Sequence, residues 1–188
     1  MFLSDSSPES LFIDCFTQAI FSTNTVDESD ATSMATAMFE NYLSLSADNI
    51  HFQDGALDTM AKLSARGFIT GIITNGIEAI QLGKIHKLGL QNIVDHVTVS
   101  AQARAHKPHQ AVFDLALSRA GVQAEQAWQV GDHATNDVAG AIRIGMGGIH
   151  YDPSGELHKT AFTDLAENPT HSIKHLSQVL DLLDQTPE

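Results

Sequence analysis

At 188 residues, 43% of them hydrophobic, the chain is long enough for one domain with a small appendage and apolar enough for a real core. A formal net charge of −13, from 23 acids against 10 lysines and arginines, excludes nonspecific attraction to nucleic acid or to an anionic membrane. A single cysteine, Cys15, excludes an internal disulfide.

A mean hydropathy of −0.07 and the lack of any apolar run of membrane length point to a soluble protein. A reducing cytoplasm is the simplest compartment for so little cysteine. Met1 to Asp5 has neither the basic start nor the apolar core of a signal peptide. The acidity also means that a phosphate site must be built locally, from a few basic side chains and backbone N–H groups.

Residues 4 to 9 read as a helix start, with Pro8 in the first turn and Ser6 or Ser7 as cap. Leu11, Phe12, Cys15, Phe16, Ala19 and Ile20 follow at helical spacing, and the polar stretch Ser22 to Ser29 breaks the pattern. A second helix is expected from Asp30 to Leu45. Its apolar side carries Met34, Met38, Phe39, Tyr42 and Leu43, a stripe that reads as core and not as a ligand pocket. The two helices form a hairpin, and Cys15 is expected to be buried in it.

From Asp54 the character changes. Gly55 to Ala65 reads as an amphipathic helix closed at Gly67. Phe68 to Ile73 is rich in β-branched residues and reads as a buried parallel strand, with Thr74-Asn75-Gly76 at its carboxyl end. A helix over 77–88, a strand from Ile93 to Val99, a helix from Gln110 to Ala120 and a strand from Ala127 to Val130 follow. Thr135 to Ile144 is the next helix, Gly147 to Tyr151 a short strand, and Ser172 to Leu183 a terminal helix. Strands and helices alternating at this spacing imply βαβ units and a parallel sheet.

Chemistry-bearing groups follow three of these strands: Thr74 with the backbone of Asn75 and Gly76, then Lys107 fixed by Pro108, then Asp132 and Asp137. Ligands of open α/β sheets bind at the carboxyl ends of the strands. A hydroxyl, an ammonium and two carboxylates there could hold a phosphoryl group with Mg²⁺, since clustered carboxylates need a cation and Mg²⁺ takes hard oxygen donors. All four residues are therefore expected to converge on one site. The plainer reading of Gly131-Asp132 to Asp137 alone is a solvated turn ending in an Asn or Asp helix cap.

The order Ile-Ile-Thr-Asn-Gly, His-Lys-Pro and Gly-Asp-x-x-x-Asn-Asp resembles motifs two, three and four of the haloacid dehalogenase-like hydrolases. The resemblance runs from about Asp54 to about Gly155. It implies a Rossmann-like α/β sheet with a partial helical cap, the cap being residues 1–50 and the core 51–188. It also implies Thr74 and Lys107 as catalytic groups that bind the transferring phosphoryl with Asn75 and Gly76, and Asp132 and Asp137 as Mg²⁺ ligands. The implied partner is a small phosphorylated metabolite, with no nucleic acid or membrane; the oligomeric state is open. A dehalogenase is disfavoured, because Asp132 and Asp137 suit a metal-dependent phosphatase.

Motif one of the family, an apolar strand ending in Asp-x-Asp-x-Thr, has no counterpart: no Asp-x-Asp occurs in the chain. Leu11-Phe12-Ile13-Asp14 has Phe16 where the second acid belongs, and Phe2-Leu3-Ser4-Asp5 has Ser7 there; neither is expected to act as nucleophile. The slot between the strand ending at Thr74 and the one ending at Val130 is expected to be abnormal. It is filled by another segment, or the sheet is rearranged, or the natural chain is longer upstream. Without the nucleophile the chain is expected to be inactive, and Lys107 to lean on Asp132. A non-catalytic protein that binds phosphate or a partner is the alternative.

The remaining polar residues have plainer explanations. His133 and Asn136 read as loop and cap residues, and His106 and His109 as a polar helix start. His171 and His175 stand at i, i+4 on the expected terminal helix, without an acidic or cysteine partner in register. Trp128 reads as packing at the start of its strand.

Overall fold

The fold is that of a computed structural model, which describes residues 8–48, 50–155 and 168–185. The Ser6 and Ser7 caps and the Asp5 substitute lie outside the described residues.

Two helices open the chain, α1 (Pro8–Phe21) and α2 (Glu28–Asp48), and they pack on each other as a hairpin. Phe12 holds the seam. Its ring stacks on Phe16 at 4.4 Å between centroids and lies 5.0 Å from Phe39 of α2. The buried face of α2 is Ala31, Ala35 and Phe39, at strict i, i+4 spacing. Met34, Met38 and Tyr42, expected in the core, are instead 45–48% exposed. Small alanines let the two helices approach closely, so the larger side chains one position round the helix are left outside the seam. Cys15 is likewise exposed, not buried. α2 reaches the rest of the molecule at α4 (Glu78–Lys87), where Lys87 pairs with Asp48 at 3.1 Å.

The α/β part begins with α3 (Ala56–Ala65), which packs on the terminal helix α7 (Gln178–Gln185) and is tied to it by Arg66 and Asp184 at 2.7 Å. The first strand, β1, spans only Gly71–Thr74. Phe68 and Ile69, expected within it, are 43% and 54% exposed. They precede the first residue that finds a ladder partner, because β2 (His96–Val99) pairs in parallel only from Gly71↔His96 to Thr74↔Val99.

A brace starts the β1–β2 pair. Thr70 donates its backbone N–H to Asp95 Oδ2 at 2.8 Å and its hydroxyl to the same oxygen at 3.2 Å. The Thr70 N–H outweighs the opposing effect of burial and, with smaller help from the hydroxyl and from His96, holds the Asp95 carboxyl below its ordinary range. A carboxylate depressed in the folded state stabilises above its unfolded pKa, and that contribution disappears as pH falls through the folded pKa. Thermal melts taken from about pH 5 down to about pH 2 should therefore show a smaller acid-induced loss for Asp95→Asn than for the parent. Superimposable pH profiles would contradict this.

Helix α5 (Gln110–Ala120) packs across β1 and β2 and ends at Gly121. Then come β3 (Trp128–Gly131), a wide π-type turn over Ala134–Ala139 running into α6 (Gly140–Arg143), and β4 (Gly147–Tyr151). The expected helix from Thr135 to Ile144 thus opens as a π turn. The His133 carbonyl accepts from Asp137 N at 2.9 Å and also from Val138 N at 3.4 Å. The expected terminal helix is corrected too: His171–Ile173 form a fifth strand, β5, and only Gln178–Gln185 are helical. His171 and His175 consequently do not share a helix. His171 faces the Trp128 ring at 5.7 Å between centroids.

Among the described residues β1 pairs with β2 alone, while β3, β4 and β5 form a separate parallel sheet in that order. No described strand stands between β1 and β3, the position where an abnormality was expected. Asp14 lies in α1, so it does not supply that strand. One apolar cluster joins the two sheets: Phe113 of α5, Ala141 of α6 and Met146, with Ile73 of β1 and Ala127 packed against them. A second cluster of Ile149, Ile173 and Val179 seats α7 on β4 and β5. These are parallel strands packed with helices, the α/β architecture expected from the sequence.

Candidate active site

Lys107 is the hub of the site. Its side chain is 9% exposed, and its ammonium donates to the Ile73 carbonyl on β1 at 2.8 Å. The same nitrogen reaches Asp137 Oδ1 at 2.5 Å, in the turn after β3. One side chain therefore spans the two sheets and brings their carboxyl ends to a common edge. A buried lysine needs such partners, because an unpaired ammonium out of water is strongly disfavoured.

The backbone of Lys107 is fixed as well. Asn75 donates its side-chain N–H to the Lys107 carbonyl at 3.1 Å and accepts from the Lys107 N–H at 2.8 Å. This reciprocal pair clamps the motif-two loop to the motif-three loop, and the Lys107–Pro108 peptide is cis. The Asn75 amide is thus committed to Lys107.

The other loop donors are also paired. Gly76 N–H donates to Ser100 Oγ at 3.0 Å, and that hydroxyl, fully buried, is bonded to His106 Nδ1 at 2.9 Å. The Thr74 hydroxyl donates to Gln81 Oε1 at 3.1 Å.

Asp137 is 8% exposed on its side chain and uses both oxygens: Oδ1 for Lys107, Oδ2 for the His133 N–H at 3.1 Å. Gly131 makes this possible. A Cβ at that position would stand 2.5 Å from Asp137 Cγ and Oδ2. The expectation that Lys107 leans on Asp132 is corrected: its carboxylate partner is Asp137, whose position one turn into the helix points it back under β3. Asp132 instead leaves its side chain exposed at the edge, and among the described residues its carbonyl is engaged by Nε2 of the buried His150 on β4 at 3.1 Å. The cap of the following turn is His133, whose Nδ1 accepts from Asn136 N at 3.1 Å, and not an Asn or Asp. His109 caps α5 in the same way, accepting from Ala111 N at 3.2 Å.

The structure thus gathers Thr74, Asn75, Gly76, Lys107 and Asp137 into one hydrogen-bonded edge, with Asp132 beside them at the end of β3. The family model for haloacid dehalogenase-like hydrolases matches residues 8–150. The chain belongs to this family. Its relatives include a ribulose-1,5-bisphosphate 5-phosphatase of Halopiger xanaduensis, 34% identical over 79% of this chain and 64% of that protein. A glyceraldehyde 3-phosphate phosphatase of Pyrococcus furiosus is 35% identical over 70% of this chain and 54% of that protein. A 2-haloacid dehalogenase structure from Pseudomonas syringae superposes with a TM-score of 0.80 at 29% identity, over 95% of this chain and 72% of that one. The chain spans roughly half to two-thirds of the length of these curated phosphatase relatives.

Three polar neighbours of this edge, Ser100, His150 and Gln81, were not expected from the sequence. Ser100 could have been found, since it follows the β-branched run Val97–Val99 in the same way that Thr74 follows Ile72–Ile73. His150 had no polar signal in its surroundings, and the contact to Asp132 comes from the Gly131↔His150 register. Gln81 is visible only as a polar residue one turn into a helix. No helix among the described residues is long and apolar enough to cross a membrane.

Proposed function

We propose that this edge is the phosphate-holding side of a phosphomonoester hydrolase acting on small phosphorylated metabolites. The observation that carries the reading is Lys107, held half by the strand before the Thr74 loop and half by Asp137. An ammonium so fixed costs no reorganisation when it meets a phosphoryl oxygen. Thr74, released from Gln81, would donate its hydroxyl to a second oxygen. Asn75 keeps Lys107 in place, and Asp137 sets its direction and balances its charge. The phosphatase relatives favour a phosphoryl substrate over a haloacid.

Asp132 is the carboxylate with its side chain open to solvent, and a hard oxygen donor at this edge fits Mg²⁺. Asp137 has both oxygens engaged, and the described residues hold no group of three acidic, histidine or cysteine ligands. In this proposal Asp132 would hold Mg²⁺ together with water and phosphate oxygens, and the ion would neutralise charge on the phosphoryl group. Residues 1–50 act as part of a cap and 51–188 as the core.

The chain has no Asp-x-Asp to attack phosphorus and protonate the leaving group. The 188-residue protein is therefore expected to hydrolyse p-nitrophenyl phosphate at background with Mg²⁺ present, while binding inorganic phosphate at Thr74 and Lys107. Robust Mg²⁺-dependent turnover lost on Asp5→Asn or Asp14→Asn would reveal a substitute nucleophile. Failure of phosphate to shift the Lys107 and Thr74 resonances would remove the site itself.

A further inference from the structure

We propose that Gln81 is a phosphate-contacting residue of this site, held ready by the Thr74 hydroxyl; the proposal rests on the phosphate-site reading above. Gln81 stands in the first turn of α4, and its Oε1 accepts the Thr74 hydroxyl at 3.1 Å. Its Nε2 lies over the motif-two loop: a Cβ on Gly76 would meet Nε2 at 2.5 Å, Cγ at 3.1 Å and Cδ at 3.2 Å. Gly76 is the one residue type that leaves room for this side chain, and its φ of 146° is one that side chains rarely adopt.

An amide has one acceptor and two donors. Thr74 occupies the acceptor, and the described residues offer the two Nε2 protons no acceptor of their own. The edge therefore carries donors from Gln81, Thr74 and Lys107. The group that satisfies all three is one made only of acceptors, and phosphate is such a group.

Charge-assisted bonds to an anion are about twice as strong as neutral ones. On arrival of phosphate, Thr74 exchanges the Gln81 oxygen for a phosphate oxygen, and Nε2 donates to the same anion. No bond is made or broken beyond hydrogen bonds. Gln81 thus fills the acceptor role at Thr74 in the empty site and becomes a donor in the loaded one. Lys107 supplies charge, whereas Gln81 supplies direction without adding to the site's charge.

The test uses the 188-residue protein, isotope-labelled, with inorganic phosphate as probe, with and without Mg²⁺. The side-chain amide signals of Gln81 are expected to move with the same midpoint as those of Thr74 and Lys107. Gln81→Met keeps the length and removes the hydrogen bonds; it should raise the phosphate dissociation constant about threefold to tenfold. Gln81→Glu places an anion beside Thr74 and should raise it more than tenfold. Both variants should melt close to the parent, since the position is half-buried and at a helix surface.

Unchanged binding in Gln81→Met, or a silent Gln81 amide while Thr74 and Lys107 titrate, overturns the proposal and leaves the phosphate site standing. Silence at Thr74 and Lys107 overturns the site and the proposal together.

Discussion

Lys107→Met is expected to lose phosphate binding and to lower the melting temperature by about 6 to 20 °C. Lys107 and Asp137 are 9% and 8% exposed, so removing the ammonium strands a carboxylate that solvent cannot reach. Breaking a buried pair from one side costs about 3–5 kcal/mol. Each kcal/mol is worth about 2–4 °C in a domain of this size. The His133 N–H stays on Asp137 Oδ2, which favours the lower part of the range.

Adding Asp137→Leu to Lys107→Met removes both charges, and apolar replacements of a buried pair are often neutral. The double variant should recover much of the lost melting temperature and none of the phosphate binding. This separates the two duties of Lys107. A single-variant loss below about 1 kcal/mol, the range of surface pairs, would show that the pair is solvated and would weaken the reading of Lys107 as hub.

The second large effect concerns turnover. Extending the chain upstream with an apolar strand ending in Asp-x-Asp-x-Thr, joined by a linker long enough to reach Pro8, is expected to raise Mg²⁺-dependent hydrolysis far above background. The described residues hold the donors, Thr74 and Lys107, and leave β1 and β3 without a strand between them. A parallel strand there would add a carboxylate to attack phosphorus and another to protonate the leaving oxygen. General acid–base transfer alone contributes about a hundredfold to ten-thousandfold, and covalent catalysis adds to it. Asp132→Asn in the extended protein should return the rate to background. An extended, folded protein that binds phosphate and still fails to turn over would contradict the proposed assembly.

Much of this fold is legible in the sequence because β1 and β2 are short β-branched runs and because glycines such as Gly67, Gly89, Gly121 and Gly145 punctuate the helices and strands. Gln110–Ala120 and Gly147–Tyr151 match their expected bounds to the residue. The misses have physical causes. Phe68 and Ile69 look like strand by composition, but a ladder needs a neighbour, and β2 begins to pair only at Gly71. Ser172 and Ile173 carry a helical-looking spacing that is overridden by pairing with β4. On α2, apolar content marks Met34 and Met38, whereas close approach of two helices selects Ala31 and Ala35.

For the site, the four chemistry-bearing positions follow from their places after strands. Which carboxylate takes Lys107 does not: that depends on a π turn set by one carbonyl shared between two N–H groups. The corrected pairing gives Asp137 the supporting part and leaves Asp132 facing outward.

The two sheets have a consequence for how the molecule comes apart. They are joined by the Phe113 cluster, by Lys107 and through the packing of α3 on α7, with no ladder between β1 and β3 among the described residues. Cooperative units of exchange and local opening tend to follow such seams. Amides of β1 and β2 are thus expected to exchange as one block and those of β3, β4 and β5 as another, which native-state hydrogen exchange would check. The groups proposed to grip phosphate sit where the blocks meet, so an anion bound there would draw the halves together, and filling the site and tightening the fold would become a single event.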